Sequence, residues 1–337
     1  ASPLRAGHVA RRIETTERFG VYEAMQTASN SNTTGILLAL GGGVVLSLND
    51  LAIKALSGAY ALHQVILIRA IVGITLVLAV MWVSKAGLQQ MRTRRIGAHV
   101  FRVCIVMVSN ITYFVGLSLM PLADAVAVAF VSPLFVTLMS AVVLREYVGP
   151  RRWAAVAVGM LGVVVMTRPG AGVIQPAAIL VLISAFCYAS SHMMTRRMKD
   201  TESAVTLSFY VQCGFIVVST TMGLTVGDGN LAGSSDPSIA FLLREWTWPP
   251  VADWPVFLAT GLAVAIGGLM VSQAYRMLEA ALVAPFEYTA LAWGVGLDWL
   301  VWQTLPEAHT WLGAAIIVGS GLYLVRREKR ISEVHAN

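Results

Sequence analysis

The chain is divided into ten apolar segments, each about 16 to 25 residues long, joined by short polar connections. Segments of this length are what α-helices need to cross the hydrocarbon layer of a bilayer. Charged residues make up only 12% of the 337 residues, about half of the roughly 25% that a soluble domain carries. The pattern therefore predicts an all-α integral membrane protein with ten transmembrane helices. The predicted spans are residues 35–57, 62–83, 97–119, 121–144, 153–168, 176–195, 204–226, 252–275, 280–304 and 310–325.

The positions of the basic residues predict how these spans are oriented. If the N-terminus is cytoplasmic, 19 of the 24 Lys and Arg residues fall in cytoplasmic segments. Only Arg168 and Arg244 fall outside, while Lys54, Arg69 and Arg102 lie within spans. This bias follows the positive-inside rule. We therefore expect a multi-pass protein of the bacterial inner membrane with both termini in the cytoplasm. The net charge of +6 then belongs to loops beside anionic lipid and does not indicate a nucleic-acid partner.

Two segments of the chain read as copies of one pattern. Residues 120–153 align without gaps to residues 278–311 at an offset of 158, and the two copies close on Trp153 and Trp311. An offset of 142 aligns the first span with the sixth. In this alignment Asn49 corresponds to Ser191, and Asp50 corresponds to His192. Ten spans in two halves of five require the second half to be inverted relative to the first. Inverted repeats are typical of secondary transporters, which bind solute near the bilayer midplane where the halves meet.

Several motifs in this order resemble the drug/metabolite transporter superfamily, in its EamA-like branch. They are NDLAIKAL in the first span, HQVILIRA in the second, YFVGLSLMPLADAVAVAFVSPLF across the third and fourth, LREYVGP at the end of the fourth, and APFEYTALAWGVGLDWLVW in the ninth. The resemblance implies two EamA repeats of five helices and a cavity lined by spans 1, 3, 4, 6, 8 and 9. The expected organisation is a cytoplasmic extension at 1–34, repeats at 35–170 and 171–325, and a basic cytoplasmic tail at 326–337. One departure is Thr304, where the second repeat of the family often has an acidic residue.

Ionisable residues inside spans indicate where a solute binds, because each costs about 2.5–3.5 kcal/mol at a helix centre. Asp50 and Lys54 are one turn apart on the first span, and Arg69 lies at a similar depth in the second. We expect these three residues to form one cluster, which either binds substrate or is a structural ion pair. Arg69 also resembles an arginine that is frequent in the second span of the family.

The ninth span carries the acid that breaks the symmetry of the repeat. Glu287 and Tyr288 follow Pro285, where the first copy has only apolar residues, and Asp298 lies three turns further on. His192, deep in the sixth span, is either a packing residue or a solute contact. Pro133 predicts a kink in the fourth span. The complete set of candidate substrate-binding residues is Asp50, Arg69, Asn110, Tyr113, His192, Gln273, Glu287, Tyr288 and Trp293, of which Asp50 and Glu287 are also candidates for proton coupling.

These features together favour a secondary transporter that moves a small organic metabolite by alternating access. The resemblance favours a cofactor-sized solute such as S-adenosylmethionine or riboflavin, with export of amino acids or their derivatives as the alternative. A membrane-embedded enzyme needs a cluster of acids, histidines or metal ligands, and a channel needs rings of like charge; neither pattern is present in the sequence. The three cysteines lack metal-ligand spacing. We therefore expect no catalytic residues, no cofactor and no metal, and a monomer or homodimer whose partners are its solute and the lipid bilayer.

Overall fold

The computed structural model describes residues 33–84, 87–143, 149–167, 176–231, 237–278, 283 and 289–336, and these residues form helices and connections without a β-strand. The α-helices are α1 Thr33–Leu56, α2 Leu62–Val83, α3 Ile96–Ser118, α4 Leu122–Ala129, α5 Ser132–Val143, α6 Pro150–Thr167, α7 Pro176–Arg197, α8 Ala204–Val226, α9 Pro237–Leu243, α10 Trp254–Met277, α11 Thr289–Trp302 and α12 Ala308–Ala336. Short 3₁₀ turns lie at Gly87–Met91 and Val251–Asp253.

Six of these helices, α1, α2, α3, α7, α8 and α10, are long and apolar enough to cross a membrane. Their bounds agree with predicted spans 1, 2, 3, 6, 7 and 8 to within a few residues. The prediction of an all-α protein with membrane-spanning helices is therefore confirmed. The described parts of the other four predicted spans are also helical, but they are shorter, interrupted or less apolar.

The predicted fourth span consists of two helices, α4 and α5, separated by a turn at Phe130 and Val131. Pro133 is the second residue of α5, and it has no N–H with which to continue the hydrogen-bond ladder from α4. The kink expected at Pro133 is present as a complete break just before it. The break places the end of α4 in the middle of the bundle, where it faces the cavity described below.

Close helix packing at small residues sets the positions of the longest helices. A Cβ atom on Gly42 of α1 would lie 2.7 Å from Val271 Cγ2 and 3.3 Å from the carbonyl oxygen of Gly267, both on α10. A Cβ atom on Gly116 of α3 would lie 2.8 Å from Val181 Cγ2 on α7. Small residues let helix backbones approach in this way, which is how transmembrane helices associate in the absence of a hydrophobic driving force.

Further pairs of helices complete the bundle. Helix α2 packs against α8 and α10, α3 against α7 and α8, α4 against α11, and α6 against α12. The connection from α8 to α10 folds back over the turn between α1 and α2. There Tyr60 donates a hydrogen bond to Asp253, and Arg244 donates one to the carbonyl oxygen of Ser57 at 3.0 Å.

Candidate functional site

A cavity of about 250 Å³ lies among α1, α2, α3, α4, α7 and α10. Four of the predicted binding residues line it: Asp50 from α1, Arg69 from α2, and Asn110 and Tyr113 from α3. We call this cavity the Asp50 chamber. It combines an apolar wall with a few polar groups, as small-molecule sites do.

The Asp50 carboxylate is held from two sides. Tyr113 donates its phenolic O–H to Asp50 Oδ2 at 2.9 Å, and Asn49 donates from Nδ2 to Asp50 Oδ1 at 3.1 Å. These bonds fix the carboxylate against the wall formed by α1 and α3. The Oδ1 atom of Asn49 is buried without a partner among the described residues, so this corner retains an unused acceptor.

Arg69 is fully buried between two aromatic rings. Its guanidinium carbon lies 5.1 Å from the centre of the Phe114 ring on α3 and 4.9 Å from that of Phe215 on α8. One nitrogen, NH2, donates to Asn110 Oδ1 at 2.8 Å. Its Nε and NH1 atoms have no hydrogen-bond partner within the described part of the chain. Cation–π contacts stabilise the buried charge, and the remaining donors could bind a solute.

Asp50 and Arg69 give this chamber an acid and a base, of which Arg69 is fully buried and Asp50 partly buried. Unpaired donors and acceptors in such a place cost free energy until a ligand satisfies them. The chamber is therefore suited to a polar organic molecule that carries hydrogen-bonding groups on an apolar body. The arrangement has no nucleophile with an adjacent base, and among the described residues no group of three His, Cys, Asp or Glu side chains can hold a metal.

A second cavity, of about 130 Å³, adjoins the first. The two cavities share lining residues, among them Ser109, Asn110 and Tyr188. The second is also lined by Arg102 of α3 and His192 of α7, and we call it the Arg102 chamber. The His192 ring is stacked on Tyr275, with ring centres 4.2 Å apart, and meets the edge of Tyr188 at the same distance.

Lys54 does not join the expected cluster with Asp50 and Arg69. Its Nζ donates to the carbonyl oxygen of Met120 and lies 5.4 Å from the centre of the Trp302 ring. The two residues of α1 diverge because Asp50 faces α3, whereas Lys54 is near the end of the helix, where it reaches the α3–α4 turn. The expectation of one three-residue cluster is wrong for Lys54.

Asp298 also has a structural position. Its Oδ2 accepts a hydrogen bond from the backbone N–H of Ala123 at 3.1 Å, so it caps the first turn of α4 from a different helix. Gln273 accepts from Arg276 at 2.9 Å and lines neither chamber. Trp293 is 45% exposed and lines neither chamber. Glu287 and Tyr288 lie outside the described residues, so their predicted role stays a prediction.

Sequence reasoning missed two parts of the site. Phe114 and Phe215 form the aromatic sandwich around Arg69, but in an apolar span an aromatic residue carries no signal of its own. Arg102 could have been recognised from the sequence, because a cation within a membrane span is costly and therefore indicates a functional position. Arg102 is not among the nine candidate binding residues that the sequence names.

Comparisons with known proteins show what this chain is similar to. The model of the EamA-like transporter family matches residues 33–168. A riboflavin transporter from Rhizobium johnstonii is 30% identical over 258 residues, which are 77% of this chain and 80% of that protein. A pseudopaline exporter from Pseudomonas aeruginosa is 25% identical over 88% of this chain and 97% of its own length.

An S-adenosylmethionine uptake transporter from Rickettsia prowazekii is 22% identical over 91% of this chain and 97% of its own length. One solved crystal structure superposes with a TM-score of 0.61 at 19% identity, covering 88% of this chain and 96% of that one. That likeness concerns the fold alone.

Proposed function

The chain belongs to the EamA-like transporter family, and we propose that it carries a cofactor-sized organic solute across the bacterial cytoplasmic membrane by alternating access. The observation that carries the proposal is the Asp50 chamber. It places a carboxylate and a guanidinium, both nearly or fully enclosed by membrane helices, at one cavity of about 250 Å³. Ionisable groups are retained inside a membrane at a cost, and a solute pathway explains that cost.

Ten transmembrane helices in two inverted repeats are part of this proposal. A two-fold axis that exchanges the halves relates α1 to α7, α2 to α8, α3 to α10, α4 with α5 to α11, and α6 to α12. Under this exchange, the pairs α2 with α8, α4 with α11, and α6 with α12 map onto themselves. The α1–α10 contact at Gly42 becomes the α3–α7 contact at Gly116. Helix packing of this symmetry supports two halves that move against each other around a central site.

The same proposal includes the topology. Both termini are cytoplasmic, residues 35–170 form the first repeat and residues 171–325 the second, and 326–337 is a basic tail. The support is the distribution of Lys and Arg along the chain, with 19 in the segments assigned to the cytoplasm. In this topology Asp50 lies toward the outer end of α1, and Arg102 lies toward the cytoplasmic end of α3.

Among cofactor-sized solutes we propose riboflavin first and S-adenosylmethionine second. The relatives named for these two solutes align over most of the chain. A flavin is a planar, neutral ring system with amide groups at one edge, and the Asp50 chamber offers Phe114 and Tyr113 beside hydrogen-bonding groups. Transport involves no covalent chemistry, so the solute must be recovered unchanged.

The test is uptake of radiolabelled riboflavin and S-adenosylmethionine by purified protein reconstituted in liposomes. Tyr113→Phe removes the bond to Asp50 and should weaken the apparent affinity by about 10-fold or more, since a hydrogen bond to a charged group contributes about 1.5–3 kcal/mol. The matched control is Asp228→Asn, an acid in the exposed α8–α9 connection, which should leave uptake unchanged. Uptake of neither solute above that of protein-free liposomes would refute the substrate proposal.

Proton coupling by Asp50 and Glu287 is tested in the same liposomes. We expect Asp50→Asn and Glu287→Gln to abolish the stimulation of uptake by an imposed pH gradient, because an amide cannot release a proton. Exchange of labelled for unlabelled solute, which needs no net proton movement, should persist in both variants. A gradient response equal to that of the parent protein would remove the substituted residue from the coupling mechanism.

Export of amino-acid derivatives is the second candidate, favoured by the similarity to the pseudopaline exporter over most of its length. It differs from the first candidate in direction and in solute class. Liposomes loaded with labelled candidate solutes and assayed for efflux distinguish the two, because an importer of flavins does not release preloaded amino-acid derivatives.

A further inference from the structure

The two chambers differ in the charge of the residues that line them. The Asp50 chamber has an acid and a base, Asp50 and Arg69. The described residues that line the Arg102 chamber include Arg102 and His192 but no Asp or Glu. The Arg102 chamber is therefore electropositive, whereas the Asp50 chamber is balanced.

Arg102 is held in place by neutral oxygens only. Its Nε donates to Thr195 Oγ1 of α7 at 3.0 Å, and its NH1 donates to the carbonyl oxygen of Leu207 of α8 at 3.3 Å. The side chain is buried, with 5% of its surface exposed. Arginine has five N–H donors in a planar fork, so these bonds orient the guanidinium and leave most of its donors free of described partners.

The nearby acid is already bonded elsewhere. Glu202 lies 3.4 Å from His99 and accepts a hydrogen bond from Thr93 at 2.6 Å. Within the described residues no carboxylate forms an ion pair with Arg102. A buried cation without a counter-charge is costly, and the protein keeps one here beside an open cavity.

The same chamber carries further groups that can hold an anion. The Nδ1 atom of His192 is buried and has no partner among the described residues. The Ser208 hydroxyl also lines the cavity and can rotate to donate, whereas the Ser191 hydroxyl in the same lining already donates to the carbonyl oxygen of Tyr188 at 2.8 Å. Its volume of about 130 Å³ is roughly tenfold what a single water needs, which leaves room for a carboxylate or phosphate group.

We propose that the Arg102 chamber binds an oxyanion, a carboxylate or a phosphate, that is part of the transported solute. Resting on the proposed function, this makes the site bipartite: the Asp50 chamber takes the body of the solute, and Arg102 takes its anionic end. S-adenosylmethionine has such an end in its carboxylate, whereas a flavin has one only as its 5′-phosphate, so the flavin form bound in both chambers is the phosphate. The shared lining residues Ser109, Asn110 and Tyr188 join the two parts. A bidentate contact from the guanidinium fork recognises such a group with geometric specificity.

The first arm of the test needs no knowledge of the solute. Thermal unfolding of the full chain in detergent is followed with inorganic phosphate, and with chloride at equal ionic strength. Phosphate should raise the midpoint of the parent protein, because a ligand that binds only the folded state stabilises it. The rise should vanish in Arg102→Gln and persist in Arg276→Gln, which removes a cation that lines neither chamber. Equal protection in the parent and in Arg102→Gln would overturn the proposal.

The second arm compares two probes that differ only in an anionic group. Riboflavin 5′-phosphate should bind the parent protein at least about 10-fold more tightly than riboflavin, as measured by quenching of flavin fluorescence. This preference should fall to about 1 in Arg102→Gln and be intermediate in Arg102→Lys, which keeps the charge without the fork. If Arg102→Gln does not fold, an unchanged preference in Arg102→Lys would itself contradict the proposal.

The combined outcomes separate the possible sources of the anion. One outcome is that phosphate protection depends on Arg102 while the two flavins bind with equal affinity. The Arg102 chamber would then bind a free inorganic anion, and the proposal that the anion is part of the solute would be overturned. Failure of both flavins to bind would refute riboflavin as the substrate class. The phosphate arm would still decide whether Arg102 binds an anion.

Discussion

Asp298 offers a test of the packing that is independent of any solute. It lies on α11, is 1% exposed, and accepts the backbone N–H of Ala123 at 3.1 Å. Replacement by alanine leaves this buried N–H at the start of α4 without a partner, which costs about 1–3 kcal/mol. Loss of a negative charge at a helix N-terminus adds about 0.3–1 kcal/mol.

One term opposes this destabilisation. The other carboxylate oxygen, Oδ1 of Asp298, has no partner among the described residues, so its removal relieves part of an existing cost. We therefore expect Asp298→Ala to lower the free energy of unfolding by about 2 kcal/mol. That corresponds to at most about 4–8 °C in the unfolding midpoint, the shift for domains of 150–250 residues, since a longer chain shifts less. Asp298→Asn keeps an acceptor for the Ala123 N–H, so its free energy of unfolding should fall by about half as much.

The assay is thermal unfolding of purified protein in detergent, followed by tryptophan fluorescence. Glu307→Ala is the control, because the Glu307 side chain is 74% exposed and pairs with His309 at 3.2 Å on the surface. An exposed pair of this kind contributes at most about 1 kcal/mol. If Asp298→Ala unfolds at the same temperature as Glu307→Ala, the capping of α4 by α11 does not stabilise the fold.

Two further predictions concern packing and pH. Gly42→Ala should lower the unfolding midpoint, because its Cβ meets Val271 at 2.7 Å. Gly43→Ala is the control: its Cβ has open space, so the better helix propensity of alanine should raise the midpoint slightly. Equal shifts in the two variants would contradict close α1–α10 packing. The hydrogen bond to Asp253 raises the pKa of Tyr60 to about 12, from 10.0. The hydrogen bond stabilises the folded protein below pH 10, and this stabilisation is lost as the pH rises toward 12. The unfolding midpoints of the parent and of Tyr60→Phe should therefore converge between pH 10 and pH 12. A constant difference between the two midpoints would refute this.

The sequence predicted the membrane class and the bounds of α1, α2, α3, α7, α8 and α10 because each depends on local composition. Asp50, Arg69, Asn110 and Tyr113 are all among the candidates that the sequence named, since each is a polar or ionisable residue within a predicted span. Depth along a span follows from counting residues at 1.5 Å each.

Partner choice was predicted less well. Lys54 is only one turn from Asp50, yet it bonds to Met120, and Asp298 caps α4 from a different helix. A contact between two helices depends on how each is rotated about its axis. That rotation is set by close packing at positions such as Gly42, which sequence periodicity does not resolve in helices that are apolar on all sides.

The sequence by itself determined that the chain is a membrane protein and which polar residues lie inside its spans, and it predicts an orientation from its basic loops. Only the tertiary structure decided that those residues separate into a balanced chamber at Asp50 and an electropositive one at Arg102. The physical reason is that burial depth is a property of one segment. The neighbours that neutralise a buried charge, or leave it available for a ligand, are supplied by other helices.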